Sequence, residues 1–181
     1  MKRLLALLLL MAAAGVAQSE ITDSADNGFS TTHEVIIDAS RARAWQAAVD
    51  EIGQWWSNDH TVNGDAGRMS IKAVPQGCFC ESFANGGGVV HMTVTFANPG
   101  TILRLTGGLG PLGLMGVSGN MTWEFFDVEE GTRVKFTYVV GGYRAGGLGA
   151  IALPVDYVIG EALQRLKAHI ETGDAGQAVV D

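Results

Sequence analysis

Apolar and polar positions alternate at the start of the fold, take helical spacing, alternate again over a long stretch, and end in one helical run. In "TTHEVIIDAS" Val35 and Ile37 lie opposite Glu34, Ile36 and Asp38, as on a half-buried strand. Ser40 is placed to cap a helix in "RARAWQAAVDEIGQWW", where Trp45, Val49, Ile52 and Trp56 form one apolar stripe. Gly53 divides that run into two short helices. Trp55 stands about 100° from the stripe. The pattern therefore assigns Trp56 to the core and Trp55 to a rim or a lid over a cavity.

From Met69 to Val140 the period is two and turn residues recur. "RMSIKAV" and "GCFCESF" read as short strands, and "ANGGG" as a hairpin loop. "VVHMTVTF" places Val90, Met92, Val94 and Phe96 on the covered side and His91, Thr93 and Thr95 on the wet side. Leu103 and Leu105 share a face, as do Met121, Trp123 and Phe125, and then Val134, Phe136, Tyr138 and Val140. Such alternation predicts an antiparallel sheet with one covered face. Two glycine-rich stretches, 107–119 and 141–149, carry no period and read as mobile loops. Ile151, Val155, Val158, Ile159, Ala162, Leu166 and Ile170 keep helical spacing, with Pro154 in the first turns. A single long helix has to bury this stripe on the covered face of the sheet. The predicted fold class is α+β, a curved antiparallel sheet of about seven strands wrapped around a long C-terminal helix, with two short helices after the first strand.

The ends change the picture. In "MKRLLALLLLMAAAGVAQSE" a basic pair, an apolar run and a small-residue stretch follow one another, the order of a secretory signal peptide. Cleavage fits after Ala14 or Ala17, and the apolar run is short for a bilayer span, although a retained anchor is the alternative. The expected organisation is a signal at 1–17, a flexible segment at 18–30, one domain at 31–172 and a disordered tail at 173–181, in a periplasmic or secreted protein. Net charge is −7, and without Lys2 and Arg3 the balance is 10 basic against 19 acidic residues. An acidic surface argues against nucleic acid and anionic membranes as partners.

Cys78 and Cys80 are the two cysteines. On a regular strand such residues lie roughly 6.5–7 Å apart, at the limit for a disulfide. Two small, half-buried residues is the favoured reading, ahead of a redox pair. A metal would find only His91 nearby, so neither metal nor cofactor is expected.

Several stretches, "EVIIDASRARAWQAAVD" at 34–50, the tryptophan pair, "GCFCE" at 77–81, "NPGTILRLTG" at 98–107, "GTRVKFTYVVGGY" at 131–143 and "VDYVIGEALQRLKAHIE" at 155–171, carry a resemblance. Together they resemble the SRPBCC superfamily, the helix-grip fold of START lipid-transfer domains, pollen allergens and polyketide cyclases. The chain looks most like homologues of the heat-shock-chaperone ATPase activator, with an export signal that cytosolic members lack. The resemblance implies a pocket lined by the sheet and the last helix.

An elongated apolar cavity for a small hydrophobic or amphipathic molecule is therefore expected between sheet and helix. Its candidate lining is Trp55, Trp56, Met92, Phe96, Leu105, Met115, Met121, Trp123, Phe125, Phe136, Tyr138, Tyr143, Val155 and Ile159, with Trp55, Met115 and Tyr143 at the entrance. No catalytic residue is assigned. Glu81 and His91 are the candidates, because a three-residue loop at 85–87 would set them opposite each other across the hairpin. The alternation nevertheless turns His91 away from the cavity. His60 could cap the pocket mouth, whereas His33 and His169 have no constellation. A cyclase or hydratase using the same cavity, and a protein-interaction module, are the alternative functions, and the oligomeric state stays open.

Overall fold

The computed structural model describes residues 18–179, so the signal sequence read at 1–17 and the last two residues of the tail lie outside the described residues. The chain opens with β1 (Gln18–Ala25) and β2 (Gly28–Ile37), then α1 (Arg41–Asp50) and the single turn α2 (Ile52–Trp55). β3 (Met69–Ile71), β4 (Cys78–Ser82), β5 (Gly88–Asn98), β6 (Ile102–Gly107), β7 (Val117–Val128) and β8 (Gly131–Gly142) follow, and α3 (Gly149–Thr172) closes the fold. All strands join one antiparallel sheet in the order β1-β2-β8-β7-β6-β5-β4-β3.

The sheet has eight strands because residues 18–25, read from the sequence as a flexible segment, pair with β2 from Gln18↔Glu34 to Ala25↔Gly28. Thr22, Asp23 and Ser24 are exposed, so this edge strand is held through its backbone and shows little apolar pattern. The tail also differs from expectation. Gly173 ends α3 in the left-handed region (φ 78°), Asp174 caps a 3-10 turn at Ala175–Gln177, and Ala175 is buried.

Ser40 caps α1, its Oγ accepting the Arg43 N–H at 3.3 Å. α1 buries Ala44, Ala47, Ala48 and Val49, and Trp45 meets Phe125 edge-on. On the concave face of the sheet the expected inward residues Leu103, Leu105, Met121, Trp123, Phe125, Val134, Phe136, Tyr138 and Val140 are all buried. α3 buries Ala152, Ile159, Ala162, Leu163 and Leu166. Trp123 stacks on Phe136 at 4.4 Å between ring centroids and meets Phe79 and Trp55 at a tilt. These rings interlock as a close-packed core that fills the space between the middle of the sheet and α3.

Strand β5 departs from alternation twice. The ladder to β4 passes from Cys80↔Val90 to Phe79↔Met92, leaving His91 as an extra residue. The ladder to β6 passes from Val94↔Leu105 to Phe96↔Arg104, leaving Thr95 extra. A bulge of one residue turns the following side chains to the other face. His91 is therefore buried beside Met92, whereas Val90 and Phe96, expected inward, are 60% and 44% exposed. The β4–β5 loop is also longer than expected, with Ser82 opposite Gly88 and Glu81 opposite Val89. Beside the first bulge, Cys78 and Cys80 are joined by a disulfide, with Cα atoms 5.4 Å apart. The favoured reading of two unbonded cysteines fails because β4 is contracted here below regular strand spacing.

Candidate functional site

A cavity of about 670 Å³ lies at one end of the molecule, where the first half of α3 faces the β4–β5 hairpin. One wall is the α3 stripe Ile151, Val155, Val158 and Ile159, spaced to share one helix face. The loop Gly108–Met115 forms a second wall, and Trp56, the segment Asp59–Val62 and Val89–His91 form the third. The lining is mainly apolar, with Asp59, His60, Thr61 and His91 as its polar side chains. A second hollow, open to solvent, lies at Asp38–Ser40 and Glu129–Gly131.

Of the tryptophan pair, Trp56 is buried in the core as the pattern assigns it and also borders the cavity, whereas Trp55, expected at a rim or lid, lies in the core and is not part of the lining. Trp55 is fully buried and its Nε1–H donates to the Ala47 carbonyl at 3.0 Å. Trp56 lines the cavity, donates its Nε1–H to the His60 carbonyl and rests edge-on against Phe79. The reason is that α2 ends at Trp55 and Trp56 has extended backbone (φ −63°, ψ 149°), so helical spacing no longer places its side chain.

Of the remaining predicted lining residues, Met115, Val155 and Ile159 reach the cavity. Met92, Leu105, Met121, Trp123, Phe125, Phe136 and Tyr138 belong to the packed core. Phe96 lies on the outer face beneath the Arg104 guanidinium, and Tyr143 is 82% exposed and not part of the lining. Tyr138 acts indirectly. Its hydroxyl donates to the Gly107 carbonyl and accepts from the Leu109 N–H, which pins the start of the glycine-rich loop. Burial pushes this phenol up to about 12, against a smaller opposing effect of the Leu109 N–H.

Glu81 and His91 meet after all, by a different route. The bulge re-aims the imidazole inward, and His91 Nε2 lies 3.2 Å from Glu81 Oε2, with both side chains almost fully buried. Glu81 also accepts the backbone N–H groups of Val62 and Asn63 at 2.9 Å each. Burial pushes its carboxyl up, but those two amides and His91 outweigh this and hold it below its usual value. The Gly110 N–H points at His91 Nδ1 at 3.4 Å, so the ring proton resides on Nε2, facing Glu81. Displacing the Gly110 segment would bare the Nδ1 lone pair to the cavity, where it could accept a proton.

Every histidine contacts a carboxylate: His33–Asp156 at 2.7 Å, His60–Glu161 at 2.8 Å, His91–Glu81, and His169–Glu51 at 2.6 Å. Three of these pairs tie α3 to β2, to the turn at Asn58–His60 and to the end of α1. Thr31 Oγ1 joins the Asp156 carboxylate as well. Arg43 makes a bidentate contact to Glu51, whose carboxyl this contact chiefly lowers. Among the described residues no group of three His, Cys, Asp or Glu side chains is arranged to hold a metal ion, and no helix is long and apolar enough to cross a membrane.

Three solved structures illustrate what the fold is similar to. A conserved protein of unknown function from Enterococcus faecalis superposes with a TM-score of 0.58 at 15% identity, over 91% of this chain and 82% of that one. CalU16 from Micromonospora echinospora gives 0.58 at 13% identity, over 87% and 85%. The Aha1 dimer from Colwellia psychrerythraea gives 0.51 at 23% identity, over 80% and 97%. No curated protein matches the sequence. The family model for polyketide cyclase/dehydrase and lipid transport proteins matches residues 28–171, the whole of the sheet from β2 and nearly all of α3. The chain therefore belongs to the polyketide cyclase/dehydrase and lipid transport family, within the SRPBCC superfamily.

Proposed function

We propose that the protein binds a small hydrophobic or amphipathic molecule in the cavity between α3, the Gly108–Met115 loop and Trp56. The observation that carries this reading is the cavity itself, about 670 Å³ with mainly apolar walls, a size suited to one small ligand. Thr61 and His60 lie in the lining beside Trp56 and bring polar atoms to one end of the molecule, whereas both ring nitrogens of His91 are already engaged. The N-terminal pattern supports action outside the cytosol, in the periplasm or after secretion. On this reading the partner is the small molecule, not nucleic acid. The likeness of stretches such as 34–50 and 155–171 to chaperone-activator homologues supports a relation to that branch, without the cytosolic chaperone as partner.

The test is a fluorescence titration with 1-aminoanthracene, in wild type and in Val155→Trp. Val155 faces the cavity, so the larger ring fills free space and leaves the core intact. Wild type is expected to bind, and the variant to bind at least about tenfold more weakly, about 1.4 kcal/mol. Equal binding by both would remove the cavity from consideration.

A second reading, a cyclase- or hydratase-type enzyme in the same cavity, is favoured by one observation: the bulge turns His91 inward against Glu81. Bulges are enriched beside active sites because they re-aim a side chain. On that reading His91→Ala abolishes turnover of a bound substrate while 1-aminoanthracene still binds.

A further inference from the structure

The Cys78–Cys80 disulfide joins two positions of one strand, so it ties together no two elements of the fold. A cross-link restrains the unfolded chain more as the closed loop lengthens, and a separation of two residues is close to the shortest possible. Such a bond does little of what structural disulfides do. Both cysteines are also part-exposed on the outer face of β4, whereas Phe79 between them and Glu81 beyond them are buried. A thiol can therefore reach the sulfurs without the core opening.

What the bond does fix is local. It holds the two Cα atoms 5.4 Å apart, where a regular strand would place them roughly 6.5–7 Å apart. Directly across the ladder β5 carries the extra residue His91, between the pairs Cys80↔Val90 and Phe79↔Met92. The bulge thus sits opposite the contracted segment of β4. Phe79, the residue inside the disulfide ring, packs on His91 at 5.7 Å and on Trp56 at 5.4 Å between ring centroids. Both of those side chains line the cavity.

We infer that Cys78–Cys80 is a reversible thiol–disulfide exchange site whose state is passed through Phe79 to His91, Trp56 and the cavity. Its reaction partner is a small thiol of the glutathione type. A partner thiolate attacks one of the two Sγ atoms, the Sγ–Sγ bond breaks, and the other cysteine leaves as a thiolate and takes up a proton. A second partner thiol then attacks the mixed disulfide. The partner departs as its own disulfide and the second cysteine is released as a thiol. Two electrons and two protons have moved from partner to protein, and the reverse sequence restores the bond. In the dithiol form β4 relaxes toward regular spacing, and the contraction facing the His91 bulge is lost.

The exchange goes beyond the ligand-binding reading and is measured with the cavity empty, so either can fail alone. The full chain is equilibrated without denaturant in glutathione buffers from fully oxidised to fully reduced. Thiols are then trapped with a maleimide and counted by intact mass. The ¹⁵N resonances of the His91 imidazole and the Trp56 indole are followed in the same samples. The expected result is a two-thiol transition within the glutathione range, with circular dichroism unchanged and both resonances shifting at the same midpoint. The double variant Cys78→Ser/Cys80→Ser should reproduce the reduced spectrum. A bond that survives every glutathione ratio, or reduction that leaves His91 and Trp56 unmoved, would overturn the proposal. So would a double variant that does not fold, because the bond would then be a structural staple.

Discussion

Replacing Glu81 with glutamine keeps the shape of the side chain and turns one acceptor oxygen into a donor. The native carboxylate receives three donors: the N–H groups of Val62 and Asn63, and His91 Nε2. If the amide oxygen keeps the two backbone donors, the amide NH₂ faces the His91 Nε2–H. Moving that proton to Nδ1 sets it against the Gly110 N–H, so no tautomer satisfies the site. One buried donor is left without an acceptor, which costs about 1–3 kcal/mol, and the remaining bonds lose charge assistance. We expect a loss of about 2–3 kcal/mol, or about 4–12 °C in Tm for a domain of this size. Urea denaturation at neutral pH, with the m-value unchanged, measures it.

The pH dependence gives an independent check. The Glu81 carboxyl lies below its usual value in the folded state. The unfolded chain therefore binds this proton first as pH falls. The resulting stability is present above the ordinary glutamate pKa of about 4.3 and is lost as pH falls through the folded value. The glutamine variant lacks this contribution, so the gap between the two proteins should narrow in acid. A variant within about 0.5 kcal/mol of wild type at neutral pH, or a gap that stays constant on acidification, would refute the reasoning.

Two other perturbations follow from single contacts. A Cβ built on Gly160 meets His33 Cε1 at 2.7 Å and Nδ1 at 2.9 Å, so Gly160→Ala should push the imidazole off Asp156. The overpacking cost of about 1–3 kcal/mol exceeds the gain of about 1 kcal/mol in helix propensity; urea denaturation should show a net loss, and a more stable variant would contradict this. Tyr138 titrates at about 12, so its contribution to stability is full below the unfolded tyrosine pKa of about 10 and declines as pH rises to the folded value. Ultraviolet titration should find Tyr138 ionising only well above the ordinary tyrosine value, and Tyr138→Phe should speed hydrogen exchange in the Gly108–Met115 loop. Ionisation of Tyr138 near the ordinary value of about 10 would count against the buried hydroxyl pinning that loop.

Much of the sheet was readable because strands β6, β7 and β8 alternate without interruption and bury the same face throughout. The long helix was readable from its apolar spacing alone. The bulges at His91 and Thr95 were not, since one extra residue leaves no compositional mark yet turns Phe96 to the outer face and leaves Val90 exposed at the cavity rim. β1 was missed because an exposed edge strand is recruited by backbone pairing. The histidine–carboxylate pairs of α3 join residues 101 to 123 positions apart, beyond any local pattern. The tail carried a signal that could have been used, a glycine stop followed by an aspartate cap in "TGDAGQ". Of the residues read as lining, Trp56, Met115, Val155 and Ile159 border the cavity and most of the others lie in the core, because periodicity separates inside from outside and says nothing about which inside position borders a void.

The most direct test of the account is to map where a bound apolar molecule sits. Methyl and indole resonances are recorded while 1-aminoanthracene is titrated into the full chain. The cavity at the end of α3 predicts shifts at Trp56, Val62, Val90, Met115, Val155 and Val158, with the core methyls of Leu103, Leu105 and Met121 unmoved. Shifts centred on Leu105, Met121 and Trp123, with the α3 valines unmoved, would contradict it and place the ligand between sheet and helix.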